Sequence, residues 1–370
     1  MNIMIFIILF MTALSCAGIG SFLMLRSLSM LTDAISHSVL LGIVIAYFIT
    51  KDIESPILIL GAAVFGLITV YAIESLSNTG LVKNDDAVGI VFPLFFALAV
   101  ILITKFARNV HLDTDVVLMG EVILAPLNTI TISGFELPKA LVLSSGMFIV
   151  NTLFIVVFFK ELKVTSFDPD FASISGFSSK LLFYALMSLA SLSAVISFDS
   201  VGAILVISFF ITPGATAYII SKDLKKMLFL SAIFAFINCM LGFLVATYLN
   251  LSMSGTTAAM AGLVFLLVLI FNKNGMIGQI YVRHQNRMLI KAYSILIHIG
   301  SHQGREEEKA ELGADSIAKH LNWDKATTDK NIFYLTKKKL INLNSDKMIY
   351  ELTSLGYNKY TSLLEEFNIK

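Results

Sequence analysis

Apolar residues fall in long, almost unbroken runs as far as residue 272, and beyond that point they thin to isolated positions at helical spacing. A run of roughly 20 apolar residues is what a helix needs to cross a bilayer. Nine such runs stand out, at 2–25, 31–49, 55–75, 87–107, 138–159, 180–196, 201–221, 227–248 and 256–272. The first is too long for a cleaved leader, and no small-residue cleavage site precedes a mature domain. Segments 31–49 and 180–196 are short, and 180–221 also reads as one broken pair, so the expected number of spans is eight or nine. Residues 113–124 are apolar enough for a re-entrant or interfacial helix. Short, glycine-interrupted segments matter because unwound backbone is tolerated at membrane depth only along a cavity.

After the last run the pattern predicts a polar linker over 273–287 and a small domain over 288–370. Leu289, Ala292, Tyr293, Leu296 and Ile297 repeat at helical spacing. Gly313-Ala314-Asp315-Ser316 opens a second helix with Ile317, Ala318 and Leu321 apolar. A third follows the turn Asn322–Lys325, runs to about Lys339 and turns Ile332 and Leu335 inward. Leu340–Leu343 and Met348–Leu352 read as short strands joined by Asn344-Ser345-Asp346-Lys347, and Thr353 caps a last helix to about Phe367. Three helices, a hairpin and a helix are the order of a winged helix-turn-helix. The expected fold is therefore an all-α polytopic membrane domain, residues 1–272, followed by this winged-helix domain.

Composition narrows the reading. Of 370 residues, 56% are hydrophobic and 14% charged, with a mean hydropathy of +0.82; soluble chains carry about 25% charged residues. An ordinary soluble enzyme, a disordered chain and a disulfide scaffold are all excluded. Cys16 and Cys239 lie in apolar runs and read as small core residues. Residues 1–275 hold 13 Lys and Arg against 15 Asp and Glu, and residues 276–370 hold 14 against 11, so the second part is the more densely charged. Basic residues in short loops set orientation. With the N-terminus outside, the inner loops carry Arg26, Lys83, Lys160, Lys163, Lys180, Lys222, Lys225, Lys226 and Lys273, and the outer loops only Lys51, Lys105, Arg108 and Lys139. The expected topology is N-out and C-in, with the charged tail in the cytoplasm.

Three motifs carry chemistry. Asp33-Ala34-Ile35-Ser36-His37 places a carboxylate and an imidazole on one face of the second apolar segment. Together they suit a divalent cation such as Mn²⁺, Fe²⁺ or Zn²⁺, and ionisable groups at bilayer depth are costly enough to point to function. The same pair also fits helix–helix packing, or a helix start lying at headgroup level. Asp168-Pro169-Asp170-Phe171-Ala172-Ser173-Ile174-Ser175-Gly176 falls in a predicted inner loop. Asp168 caps a short helix there, Pro169 opens it and Gly176 ends it. Such a helix lying on the inner face is a docking element for a soluble motor subunit; a plain connecting turn has the same composition. Phe198-Asp199-Ser200-Val201-Gly202, running on to Thr212-Pro213-Gly214-Ala215, permits a kink and close helix packing, with Asp199 as a candidate for an outer vestibule. No phosphate-binding glycine loop is present, so energy from ATP has to come from another chain.

The stretches GSFLMLRSLSMLTDAISHSVLLG, FDPDFASISG and SFDSVGAILVISFFITPGATA, in that order, resemble the permease family of bacterial manganese, zinc and iron ABC importers. The resemblance covers about residues 15–272. It implies a permease of eight or nine helices that pairs with a second permease (itself or a paralogue), is driven by separate cytoplasmic ATP-binding subunits, and receives its ion from an extracytoplasmic metal-binding protein. It further implies that Asp33 and His37 form the metal site of the pathway and that Asp168, Pro169, Asp170, Phe171, Ala172 and Gly176 belong to the helix that meets the ATPase. Ser36 departs from the alanine that many members carry, and leaves both ligand positions intact. The implied protein is a multi-pass transporter of the bacterial inner membrane, not an enzyme, with no permanent cofactor and Mn, Zn or Fe as cargo.

In a winged helix the second helix of the turn unit enters the major groove. That reading puts Thr327, Thr328, Lys330 and Asn331 at the DNA, with Lys337, Lys338 and Lys339 against phosphates. The tail resembles the DNA-binding part of iron- and manganese-dependent repressors without their metal-sensing dimerisation region, since the sequence stops at Lys370. A surplus of three positive charges is small for DNA binding, and a protein-contact role fits equally. The alternative whole-chain reading is a membrane-tethered, metal-responsive transcriptional regulator. His111, Asp113, Asp115 and Glu121 fall in a predicted outer loop, where they read either as a cation-attracting patch or as solvated surface; Glu74 reads as an ordinary interfacial carboxylate.

Overall fold

A computed structural model describes residues 2–52, 55–106, 122–132, 134–273 and 275–366. The chain divides into two compact units, Met1–Gly275 and Met276–Lys370.

The first unit is built from long helices: α1 (Asn2–Leu25), α2 (Ser29–Thr50), α3 (Ile57–Asn78), α4 (Asn84–Phe106), α5 (Lys139–Val157), α6 (Phe159–Phe167), α7 (Pro169–Ile174), α8 (Ser179–Val201), α9 (Ala203–Ile220), α10 (Leu224–Leu249) and α11 (Met253–Phe271). Among the described residues nine helices are long and apolar enough to cross a membrane, all of these but α6 and α7. The segment 180–221 is two helices: Gly202, at φ +80°, breaks the ladder between α8 and α9. α1 packs on α5, α9 and α10, while α2 packs on α3 and α4. The approach of α2 to α3 is close. A Cβ added at Gly42 would lie 2.4 Å from the Gly61 carbonyl oxygen, so backbone meets backbone there and only glycine fits. This contact fixes the helix that carries Asp33 and His37.

Cys16 and Cys239 are buried free thiols, as expected. The sequence pattern gave no sign of an antiparallel hairpin, β1 (Thr129–Ile132) with β2 (Phe135–Pro138), ahead of α5. Its strands are four residues each and turn at Gly134, at φ +86°. Most of 113–124, with His111, Asp113, Asp115 and Glu121, lies outside the described residues.

The second unit comprises α12 (Met276–His302), α13 (Glu308–Glu311), α14 (Ala314–His320), α15 (Lys325–Lys337), β3 (Ile341–Asn344), β4 (Ile349–Leu352) and α16 (Ser354–Glu366). Its core joins Ala292, Ile295, Leu296, Ile299, Leu312, Ile317, Ile332, Leu335, Ile341, Ile349 and Leu363. Ile341 pairs with Leu352 and Asn344 with Ile349 across the hairpin. Thr353 caps α16 by accepting from the Gly356 N–H at 3.0 Å. The stretch 273–287, expected as a polar linker, is helical from Met276 onward as the first half of α12, with Met276, Ile277, Ile280 and Val282 exposed.

Candidate functional site

Asp33 lies four residues into α2 and His37 one turn further, about 6 and 12 Å along the helix from Ser29. His37 Nε2 and Asp33 Oδ1 are 3.4 Å apart, and the two side chains keep 28% and 38% of their surface exposed. The His37 ring stacks on Phe92 and meets Phe96 edge-on, both from α4, at centroid distances of 5.6 and 5.8 Å. The aromatic wall holds the imidazole in place without consuming a ring nitrogen. The neighbouring hydroxyls do not compete for the pair: Thr32 donates to the Ser29 carbonyl at 2.6 Å, and Ser36 to the Thr32 carbonyl at 2.7 Å.

Two ligand atoms of a tetrahedral ion with 2.0–2.1 Å bonds stand about 3.3 Å apart. The Asp33–His37 spacing therefore matches two adjacent positions in a coordination shell. Among the described residues no third His, Cys, Asp or Glu joins them. Two protein ligands leave the rest of the shell to water or to another chain. That is a site an ion can enter and leave.

The docking motif folds as its residues dictate. Asp168 accepts from the Phe171 N–H at 2.9 Å and Pro169 occupies the first helical position of α7. At the other end Gly176, at φ +84°, donates to Ser173 at 3.1 Å and Phe177 donates to Ala172 at 3.0 Å, a paired stop that needs the left-handed conformation glycine allows. Ala172 is buried, Asp170 is exposed, and Phe171 and Ile174 are 57% and 86% exposed beside an exposed Phe167. A capped helix that turns two large apolar groups outward, beside a third at the end of α6, offers a surface for another protein.

The same end of the first unit holds a cavity of about 390 Å³ lined by Arg26, Leu28, Glu74, Thr165, Pro169 and Lys180, among others. Arg26 ties the end of α1 to α6 by donating to Ser166 Oγ at 3.0 Å and to Thr165 Oγ1, and burial pushes its guanidinium below the usual arginine range. Glu74 accepts a hydrogen bond from the Tyr184 hydroxyl, so it is a helix–helix tie and not a bare interfacial carboxylate.

In the second unit two of the residues expected at DNA are on the wrong face. Thr328 and Asn331 are 0% and 1% exposed, bonding back to Asp324 and Thr327 carbonyls at 3.2 and 2.7 Å. The apolar phase of α15, set by Ile332 and Leu335, carries Thr328 and Asn331 inward with it. Thr327 is half-buried, whereas Lys330, Lys337, Lys338 and Lys339 are exposed. The side chain of Asp199 lies outside the described residues.

The model of the ABC 3 transport family matches residues 2–272. The chain is 42% identical over 269 residues to the manganese transport system membrane protein MntD of Bacillus subtilis, covering 72% of this chain and 91% of that one. It is 39% identical over 324 residues to the zinc transport system membrane protein TroD of Treponema pallidum, covering 87% and 88%. That second match extends past Gly275 into the second unit. A solved structure described as PsaBC from Streptococcus pneumoniae in complex with Fab is similar at TM-score 0.61 and 30% identity, over 72% of this chain and 90% of that one.

Proposed function

Because this chain belongs to the ABC 3 transport family, we propose that it is the permease subunit of an ATP-driven importer of Mn²⁺ or Zn²⁺, with Asp33 and His37 as the ligands that pass the ion. It is a multi-pass membrane subunit of a transport system, not an enzyme. The observation that carries the metal reading is the Asp33 Oδ1 to His37 Nε2 distance of 3.4 Å on a membrane helix, with both groups partly open. Fe²⁺ suits the same donors, so iron belongs in the competition assay.

The N-terminus lies outside and the second unit in the cytoplasm, in line with the basic residues of the inner loops. The ion arrives from an extracytoplasmic binding protein. ATP is hydrolysed by a separate subunit that docks on Asp168–Gly176, a role supported by the exposed Phe171 and Ile174. A second permease, identical or paralogous, completes the pathway by filling the coordination shell that one chain leaves half empty.

The second unit we read as a winged helix, from the order α14, α15, β3, β4, α16. Its role is regulatory contact with protein. DNA reading loses support because Asn331, the residue suited to a base edge, is buried.

Reconstitution with the ATP-binding subunit in proteoliposomes tests the transport reading. ATP-dependent uptake of manganese or zinc is expected, and its loss in Asp33→Ala or His37→Ala at equal insertion identifies the site. No ATP-dependent accumulation of any of the three ions overturns the reading.

A further inference from the structure

Three of the six histidines of the chain gather in the second unit, around one carboxylate. His298 and His302 stand one turn apart near the end of α12, with ring centroids 4.7 Å apart. Glu311 closes α13 and His320 closes α14. Glu311 Oε2 lies 3.2 Å from His320 Nδ1 and 3.7 Å from His298 Nε2, and His298 Nε2 is also 3.3 Å from the Glu311 carbonyl oxygen. The His320 and His298 rings lie roughly parallel at 5.9 Å. One ligand atom from each of His298, His302 and Glu311 falls within 4.8 Å of the others.

From this arrangement we propose that His298, His302, Glu311 and His320 form a binding site for a divalent transition-metal ion of the Zn²⁺ class, separate from the pair in the membrane helix. Imidazole nitrogens with one carboxylate are the donor set that Zn²⁺ and its neighbours prefer over Mg²⁺ or Ca²⁺. Neighbouring ligands of a tetrahedral ion stand about 3.3 Å apart. Binding an ion requires the 4.8 Å spread of the His298, His302 and Glu311 atoms to close to that spacing.

Two further observations favour an ion over a plain hydrogen-bonded core. His302 Nδ1 is buried and has no hydrogen-bond partner among the described residues, which leaves a lone pair or an N–H unpaired. His298 and Glu311 are also well shielded, at 11% and 15% side-chain exposure, so the carboxylate charge sits away from bulk water. Burial, followed by the charges of His302 and His320, holds His298 below the usual histidine range against the opposing pull of Glu311. A bound cation satisfies His302 Nδ1, neutralises Glu311 and ties α12, α13 and α14 into one block. The second unit then responds to metal, which the transport reading does not require.

The test uses full-length protein in detergent carrying Asp33→Ala and His37→Ala, so that the membrane pair contributes nothing, after stripping with a chelator. Titration with Co²⁺ is expected to give the visible absorption of a four-coordinate ion, saturating at one equivalent and displaced by Zn²⁺. Adding His298→Ala and His302→Ala is expected to remove that equivalent, and Glu311→Gln to weaken it at least tenfold. His320→Asn, at the more exposed end of the cluster, is the variant least disturbing to the fold and is expected to weaken binding by about tenfold or more. The proposal is overturned if the parent protein takes up no Co²⁺ or Zn²⁺. It is equally overturned if His320→Asn and Glu311→Gln bind the ion as the parent does.

Discussion

The two metal sites proposed for this chain differ in a way that separates passing an ion from keeping one. Asp33 and His37 are two ligands on a single helix, 28% to 38% exposed, with an aromatic wall on one side and no third ligand among the described residues. His298, His302, Glu311 and His320 come from three helices, and His298 and Glu311 are more shielded than either residue of the membrane pair. A half-filled shell binds weakly and releases readily, which transport requires. A nearly complete shell with a buried, unpartnered nitrogen holds its ion, which suits a sensor. Ligand number and exposure teach more here than residue type, because both sites contain the same His and carboxylate donors.

The contrast is sharpest if the membrane pair is broken. Asp33→Ala and His37→Ala should each cut ATP-driven uptake by roughly 100-fold or more, since losing a direct ligand costs more than the 10–100-fold typical of outer-shell partners. Retention of one Zn²⁺ by the second unit should be unchanged in these variants, as equilibrium dialysis of the purified protein would show. Next in size is uncoupling at α7. Phe171→Asp should reduce stimulation of the ATPase by the permease about tenfold without changing the helical content of the permease by circular dichroism, because Phe171 is exposed and touches no core. Stimulation at the wild-type level would move the docking surface elsewhere.

Smaller effects follow from how the pair is positioned. Gly42→Ala forces a Cβ against the Gly61 carbonyl, and overpacking of this kind costs about 1–3 kcal/mol. Thermal unfolding in detergent should shift down accordingly, and uptake should fall because α2 is displaced. The smallest effect belongs to the cap of α15. Asp324 accepts from the Thr327 N–H at 2.9 Å, and the Thr327 hydroxyl, then this N–H, hold its carboxyl below the usual range. A depressed carboxylate stabilises above its unfolded value of about 3.9 and loses that contribution as pH falls through its folded value. Asp324→Ala should thus lower the melting temperature of the second unit slightly at neutral pH. The difference from wild type should vanish in acid.

Much of the molecule was legible in the residues. The nine spans follow from run length and apolarity, and their ends fall within a few residues of the helices found. The stop at Gly176 and the caps at Asp168 and Thr353 follow from local chemistry. The Asp33–His37 pair was visible as an i, i+4 spacing inside an apolar segment. The hairpin at Thr129–Pro138 was not, because two four-residue strands show too little alternation to register. Thr328 and Asn331 were misplaced since their expected exposure rested on position after a helix start, and the apolar phase running through Ile332 and Leu335 overrides it. The histidine cluster was missed because its members are spread from 298 to 320 over three helices. Its one local signal was the i, i+4 pair His298 and His302, lost within a run that reads as ordinary amphipathic helix.

The claim that Asp33 and His37 carry the ion is tested most directly by initial uptake rates in proteoliposomes holding the permease and its ATP-binding subunit. At equal insertion and equal ATPase content, His37→Ala should transport manganese and zinc no faster than vesicles without ATP. Uptake by His37→Ala at the wild-type rate would contradict the account.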